Sequence, residues 1–178
     1  MKRLPHAQAG FSLIEVLVVI VIMGLMLNFV VINVGSNDDK IVETEARRFG
    51  ALLRLAAEES IMRARETAVE LSRYGYQFLV LDDEGQWQPF EDGQAFRPRE
   101  LPAGLHLDGE LNDEALAFAA AKDTDTDDEE KATGPRIFLF SSGEMTPFKL
   151  EFRMDFGPGW GLSGDAVGKI TLDGRLQT

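Results

Sequence analysis

The 178-residue chain contains no cysteine. Disulfide scaffolds, thiolate zinc sites and cysteine nucleophiles are therefore excluded, and the fold must be held by packing alone. Histidine is nearly as scarce, with His6 and His106 the only two, so a catalytic dyad or an imidazole-rich metal site is hard to assemble. Basic charge is in deficit: 18 Lys and Arg face 30 Asp and Glu, a formal net charge of -12. A nucleic-acid binder needs a basic face to neutralise phosphates, and this chain offers none. What it does have is 44% hydrophobic residues with 12 Phe, enough to build a core in a chain of one domain's length.

The mean hydropathy of -0.11 averages two very different parts. Met1–Gly10 is a short polar leader carrying Lys2 and Arg3. From Phe11 to Val34 the chain is apolar, with Glu15 its one formal charge. The nineteen residues Val16–Val34 would form about 28 Å of helix, close to the ~30 Å hydrocarbon thickness of a bilayer. Basic residues precede this run and Asp38 and Asp39 follow it, which orients the N-terminus to the cytoplasm and the bulk of the chain outside. A cleavable secretory signal would need a small-residue cleavage site after the run, and VINVGSND supplies none. A plain signal anchor fits the length but leaves Glu15 unexplained. A charge within an apolar span is costly and needs a partner.

Gly10-Phe11-Ser12-Leu13-Ile14-Glu15, set between a short basic leader and a long apolar helix, resembles the type III (class IV) prepilin signal. The resemblance implies cleavage between Gly10 and Phe11 by the prepilin peptidase, which also methylates the new N-terminal Phe11. It further implies an assembly role for Glu15, paired with the methylated amine of this or a neighbouring subunit. Gly at the cut gives a protease unhindered access to the backbone, and a cut ahead of the apolar run leaves the helix attached.

Beyond Gly35–Asp39, a natural break with Ser, Asn and Asp available as N-caps, Ala46, Phe49, Leu53, Ala56, Ala64, Ala68 and Leu71 recur at three- and four-residue steps. That stripe predicts an amphipathic helix over about 39–73, ending near Ser72–Gly75; a short heptad coiled coil is the rival reading. From residue 76 the texture turns to strands: Tyr76–Asp82 with a turn at Asp83-Glu84-Gly85 and a mate at Gln86–Gln88, then Leu105–Leu107, Arg136–Phe140, Phe148–Met154 and Lys169–Leu172. Asp173-Gly174 reads as a turn that lets Arg175–Gln177 pair back, and Leu116–Ala121 fits a strand or a helix turn equally. Helix first and strands after predicts an α+β fold, a long N-terminal helix packed on an antiparallel β-sheet or β-sandwich head. The domains are thus a leader at 1–10, a membrane and assembly helix at 11–35, and one head at 36–178.

Phe140-Ser-Ser-Gly-Glu-Met-Thr-Pro-Phe148, its following strand and Gly168–Arg175 resemble the C-terminal pattern of the GspH/FimT group. That group holds the H-type minor pseudopilins of type II secretion and related minor pilins of type IV pili. The fold implied is pilin-like. The implied function is that of a non-enzymatic minor pseudopilin in the periplasmic pseudopilus, which supports export of folded proteins across the outer membrane. The alternative is a minor pilin of a type IV pilus. Expected partners are the major and other minor pseudopilins, at or near the tip, together with the prepilin peptidase and the inner membrane. No cofactor and no nucleic acid are expected. Loss of the leader takes the net charge from -12 to -14, and the head alone carries -13. That acidity disfavours the DNA-uptake branch of the pili.

The remaining chemistry-bearing features carry bland readings beside sharp ones. The acids at 123, 125 and 127 resemble the opening of an EF-hand calcium loop, but Asp128 stands where the turn glycine belongs and Gly134 where the bidentate Glu belongs. A solvated acidic loop fits 123–130 better than calcium binding does. His106 reads as an ordinary sheet residue. Ser141-Ser142-Gly143 reads as a turn, since the G-x-S-x-G elbow is missing. Gly157–Gly161 and Ser163–Asp165 read as a flexible connection between strands. Trp87 and Trp160 fit interface anchors or packing residues alike.

Overall fold

A computed structural model describes residues 12–90, 94–118, 134–157 and 159–176, with the side chains of 27–36 outside the description. The chain divides into two compact units between Asn37 and Asp38. One α-helix, α1 (Leu13–Arg63), contributes to both. Helical backbone continues through 35–39, so the break expected there is not made. A single helical glycine costs only about 1 kcal/mol, and the packed stripe that follows offsets it.

In the second unit, Val42, Ala46, Phe49, Leu53, Ala56 and Ser60 are buried, a three-four alternation that puts them on one face of α1. The flanks of that face carry the ion pairs Glu43–Arg47 and Glu59–Arg63, each spaced i,i+4. Ten strands follow among the described residues: β1 (Thr67–Ser72), β2 (Gly75–Leu81), β3 (Trp87–Pro89), β4 (Arg99–Glu100), β5 (Leu105–Leu111), β6 (Glu114–Ala115), β7 (Arg136–Leu139), β8 (Phe148–Met154), β9 (Gly159–Gly164) and β10 (Ile170–Leu176). One sheet has the order β3-β2-β1-β7, with β4 also paired to β2; the other has the order β10-β9-β8-β5-β6. Every pairing is antiparallel.

The buried stripe of α1 and the inner faces of both sheets form one hydrophobic cluster. Phe49 is its junction, 4.8 Å from the Tyr76 ring of β2 and 5.7 Å from the Phe152 ring of β8. This is the α+β, pilin-like arrangement expected from the sequence.

Three local expectations are corrected. The helix does not run on to Ser72–Gly75; it stops at Arg63, and residues 67–72 form β1. Ala64 takes φ +50°, while the amides of Ala64 and Arg65 donate to the carbonyls of Ile61 (3.3 Å) and Ser60 (3.1 Å). Those two bonds close a Schellman motif with alanine at the position usually held by glycine. The Ala68 and Leu71 that seemed to prolong the stripe are buried because β1 is a central strand covered on both faces.

Secondly, the glycine-rich run 159–164 is the strand β9 rather than a flexible connection. Its glycines admit close neighbours: a Cβ at Gly164 would enter the Phe148 ring, and one at Gly161 would lie 3.2 Å from Asp173 Cβ. Thirdly, no hairpin forms at Asp173-Gly174. β10 continues through it with a β-bulge between Leu172 and Gly174, where Gly174 takes φ +91° and the Asp173 carboxylate accepts the Ser163 hydroxyl at 2.9 Å. The strand expected at 105–107 extends to Leu111, and the described part of 116–121 is neither helix nor strand.

Candidate functional site

Among the described residues, no helix is long and apolar enough to cross a membrane. The span expected over 11–35 extends into residues whose side chains lie outside the description. Gly10 and Phe11, the expected cleavage and methylation positions, lie outside it entirely.

Glu15 is described, in the first turn of α1. The Ser12 carbonyl accepts the Glu15 and Val16 amides at 3.0 and 3.3 Å, so the helix opens immediately before Leu13. A carboxylate there is favoured by the partial positive charge of the helix N-terminus. Every residue from 12 to 26 is exposed, with Leu13 at 84% and Met26 at 67%. An apolar helix whose residues 12–26 are exposed suits lipid or other apolar helices as surroundings.

The head holds polar clusters that tie elements together. Asp39, near the start of the head's share of α1, accepts the Trp160 indole N–H at 3.3 Å and pairs with Arg175 at 3.5 Å. The Arg47 guanidinium lies 5.8 Å above the Trp160 ring. Fifteen residues on from Asp39, Arg54 donates to the Ile170 carbonyl at 2.9 Å. Trp160 therefore binds β9 to α1, the packing reading rather than a free anchor. Trp87 packs 5.6 Å from Phe138, with Arg136 5.9 Å over its ring. Arg136 also pairs with Glu70 at 2.8 Å, holding β7 to β1. None of these contacts around α1's Asp39 and Arg54 could be read from spacing, because each joins residues more than 110 positions apart.

His106 lies in β5 between two carboxylates, its Nε2 3.2 Å from Asp108 and its Nδ1 3.3 Å from Asp155. The two acids sit on opposite ring nitrogens and do not converge on a common point. Among the described residues no group of three or more His, Asp or Glu is placed to hold a metal ion. The acidic loop 123–130 lies outside the described residues.

Ser141 and Ser142 occupy a turn closed by the Gly143 amide on the Phe140 carbonyl at 2.9 Å. The Ser141 hydroxyl donates to the Glu66 carboxylate at 3.0 Å, tying the turn to the residue before β1. A groove of about 880 Å³ is lined by Glu70, Arg73, Tyr76, Arg99, Phe118 and Pro135 among others. Glu70 there is bound to Arg136 and Gln77. Tyr76 is buried between Phe49 and Phe78, and burial foremost pushes its phenol up to about 12, with Arg99 opposing and Glu45 adding to the shift. That favours a neutral packing residue over an acid–base one.

The comparisons with known proteins follow the same division. A family model described as "Type II transport protein GspH" matches residues 45–168, and one described as "Prokaryotic N-terminal methylation motif" matches residues 5–27. "Type II secretion system protein H" of Aeromonas hydrophila is 31% identical over 147 residues, covering 82% of this chain and 80% of the relative. The protein of the same description from Pseudomonas aeruginosa is 31% identical over 148 residues, with 82% and 83% covered. Among solved structures, the minor pseudopilin EpsH from the type II secretion system of Vibrio cholerae superimposes with a TM-score of 0.62 at 23% identity, covering 75% of this chain and 96% of that one.

Proposed function

The chain belongs to the GspH family, the minor pseudopilins of type II secretion, and from that premise we propose how its two units divide the work. It is a structural, non-enzymatic subunit. Its prepilin motif implies processing, anchoring in the inner membrane and assembly into the periplasmic pseudopilus. In the finer reading the prepilin peptidase cuts between Gly10 and Phe11 and methylates Phe11. The processed chain waits as a single-pass protein, its N-terminus cytoplasmic and its head periplasmic. It then leaves lipid to bundle with the helices of major and other minor pseudopilins, at or near the tip, in support of protein export across the outer membrane.

One observation carries this reading: a carboxylate at the opening turn of an apolar helix whose residues 12–26 are exposed among the described residues. In lipid or a dry helix bundle an unpaired Glu15 is expensive, whereas a cationic amine from a neighbouring subunit stabilises it and sets axial register.

Two variants test the reading. Replacing Gly10 by a bulky residue leaves a precursor ten residues longer than the mature chain; intact processing to the mature mass refutes the assigned cut. Glu15→Val spares membrane insertion but weakens co-purification with partner pseudopilins, and unchanged co-assembly refutes the role of Glu15.

A further inference from the structure

The head carries an apolar surface where α1 ends. Ile61 and Met62, in the last turn of the helix, are exposed, Met62 at 82%. The turn after β7 lies against Ile61, since a Cβ at Gly143 would sit 3.6 Å from Ile61 Cδ1. The turn between β9 and β10 is joined to it in the same way. The Met145 amide donates to the Ala166 carbonyl at 3.2 Å, and a Cβ at Gly168 would come within 2.6 Å of the Gly143 carbonyl. These interlocked turns hold Phe140 and Val167 out to solvent, Val167 at 79%. From Phe140 the surface continues through Phe138, 6.5 Å away, to Trp87 a further 5.6 Å on. Phe138 lies on the outer side of β7, between the buried Ile137 and Leu139.

We propose that this surface docks the head of a different pseudopilin, one that presents an apolar centre rimmed by Lys and Arg. This rests on the reading of the chain as an assembling subunit. Contiguous apolar side chains left open to water mark a docking site. The Phe140 turn is rigid, closed by the Phe140 amide on the Glu144 carbonyl at 2.9 Å, so its ring is preorganised for a partner. A tryptophan and two phenylalanines in one row are the side chains that anchor protein interfaces.

Charge selects the occupant. Glu58, Glu144 and Asp165 stand exposed beside the patch, against Lys169 and an Arg63 already paired with Glu59. The head as a whole carries -13. A second copy would therefore bring acid to acid, and an anionic lipid surface is repelled in the same way. A basic-rimmed face covers the rings and neutralises the acids together.

The experiment co-expresses the full chain with the other pseudopilins and recovers complexes in mild detergent through a tag on the partners. Met62→Ser combined with Val167→Ser removes apolar surface at two exposed positions. Phe156→Ser is the control: that ring is 96% exposed just past the Met154 end of β8, whereas the Phe148 end pairs with Gly164 beside the patch. The inference expects about a tenfold loss of recovered chain for the double variant, no loss for Phe156→Ser, and unchanged melting temperatures. Glu58→Lys should also weaken the complex and flatten its salt dependence. Because the chain has no cysteine, Val167→Cys offers a single thiol for a photo-crosslinker, and the expected product joins this chain to a different pseudopilin. Undiminished recovery of the double variant overturns the inference alone, as does an equal loss for Phe156→Ser. A crosslink from residue 167 to a second copy or to lipid overturns it in favour of that occupant. If the serines lower the melting temperature, the crosslink decides. Failure of the wild-type chain to recover with any pseudopilin overturns both this inference and the assembly reading on which it rests.

Discussion

Replacing Ala64 by glycine should stabilise the head, although it deletes a methyl group and introduces the poorest helix former after proline. Ala64 sits just past the end of α1 at φ +50°, with the two backbone bonds of a Schellman motif closed around it. The left-handed region crowds a Cβ against the following carbonyl, which costs about 1–2 kcal/mol for an ordinary L-residue. Glycine removes that strain but enlarges the unfolded ensemble, which offsets about 0.4–1 kcal/mol. Ala64 is exposed, so no packing is lost. The net gain is therefore about 0.5–1 kcal/mol, or a rise of about 1–4 °C in melting temperature for a domain of this size. Thermal unfolding followed by circular dichroism on the detergent-solubilised chain measures it. Ala64→Val, β-branched at the same backbone angle, should lower the melting temperature. A destabilised glycine variant together with a neutral valine variant would show that the chain does not turn left-handed at residue 64, and the account of where α1 ends would fail.

Phe49→Ala should cost about 3–5 kcal/mol, because the ring is fully buried and meets both Tyr76 of one sheet and Phe152 of the other. Against a typical total of about 5–15 kcal/mol, the urea midpoint should fall steeply, and a loss below about 1 kcal/mol would contradict the central position given to Phe49. Among the described residues the buried Tyr76 hydroxyl has no hydrogen-bond partner, so Tyr76→Phe should be neutral or mildly stabilising at pH 7. Burial raises the Tyr76 phenol from 10.0 to about 12, so its unfolded form ionises first and stability drains away as pH rises from 10 to about 12. The Phe variant should show a flatter alkaline limb in pH-dependent unfolding; identical limbs would place Tyr76 in contact with water.

The α+β plan was legible because its signals are periodic and strong. The stripe Ala46–Phe49–Leu53–Ala56 names the buried face of α1, and the alternation of Phe148, Leu150 and Phe152 names the inner face of β8. The end of the helix was not legible. A glycine at residue 64 would have announced it, but alanine is the best helix former, and the residues after it kept the helical spacing by coincidence. Burial at Ala68 and Leu71 arises from a central strand, and periodicity alone cannot tell a strand covered on both faces from one more turn of helix.

The same physics separates what could be read at the functional surfaces from what could not. Glu15 stands out because a charge inside an apolar run has contrast with every neighbour, so its position in the sequence is already a statement about its energy. Val167 has no such contrast: a sequence records that a residue is apolar, and only the fold decides whether it is covered. In β9 and the loop before it the side chains that would carry a strand signal are replaced by glycine at 159, 161 and 164, so the alternation vanishes although the backbone pairing is complete. Those glycines exist to let Phe148, Asp173 and Leu176 close over the strand. The packing that erased the strand from the sequence is what seats β9 between β8 and β10.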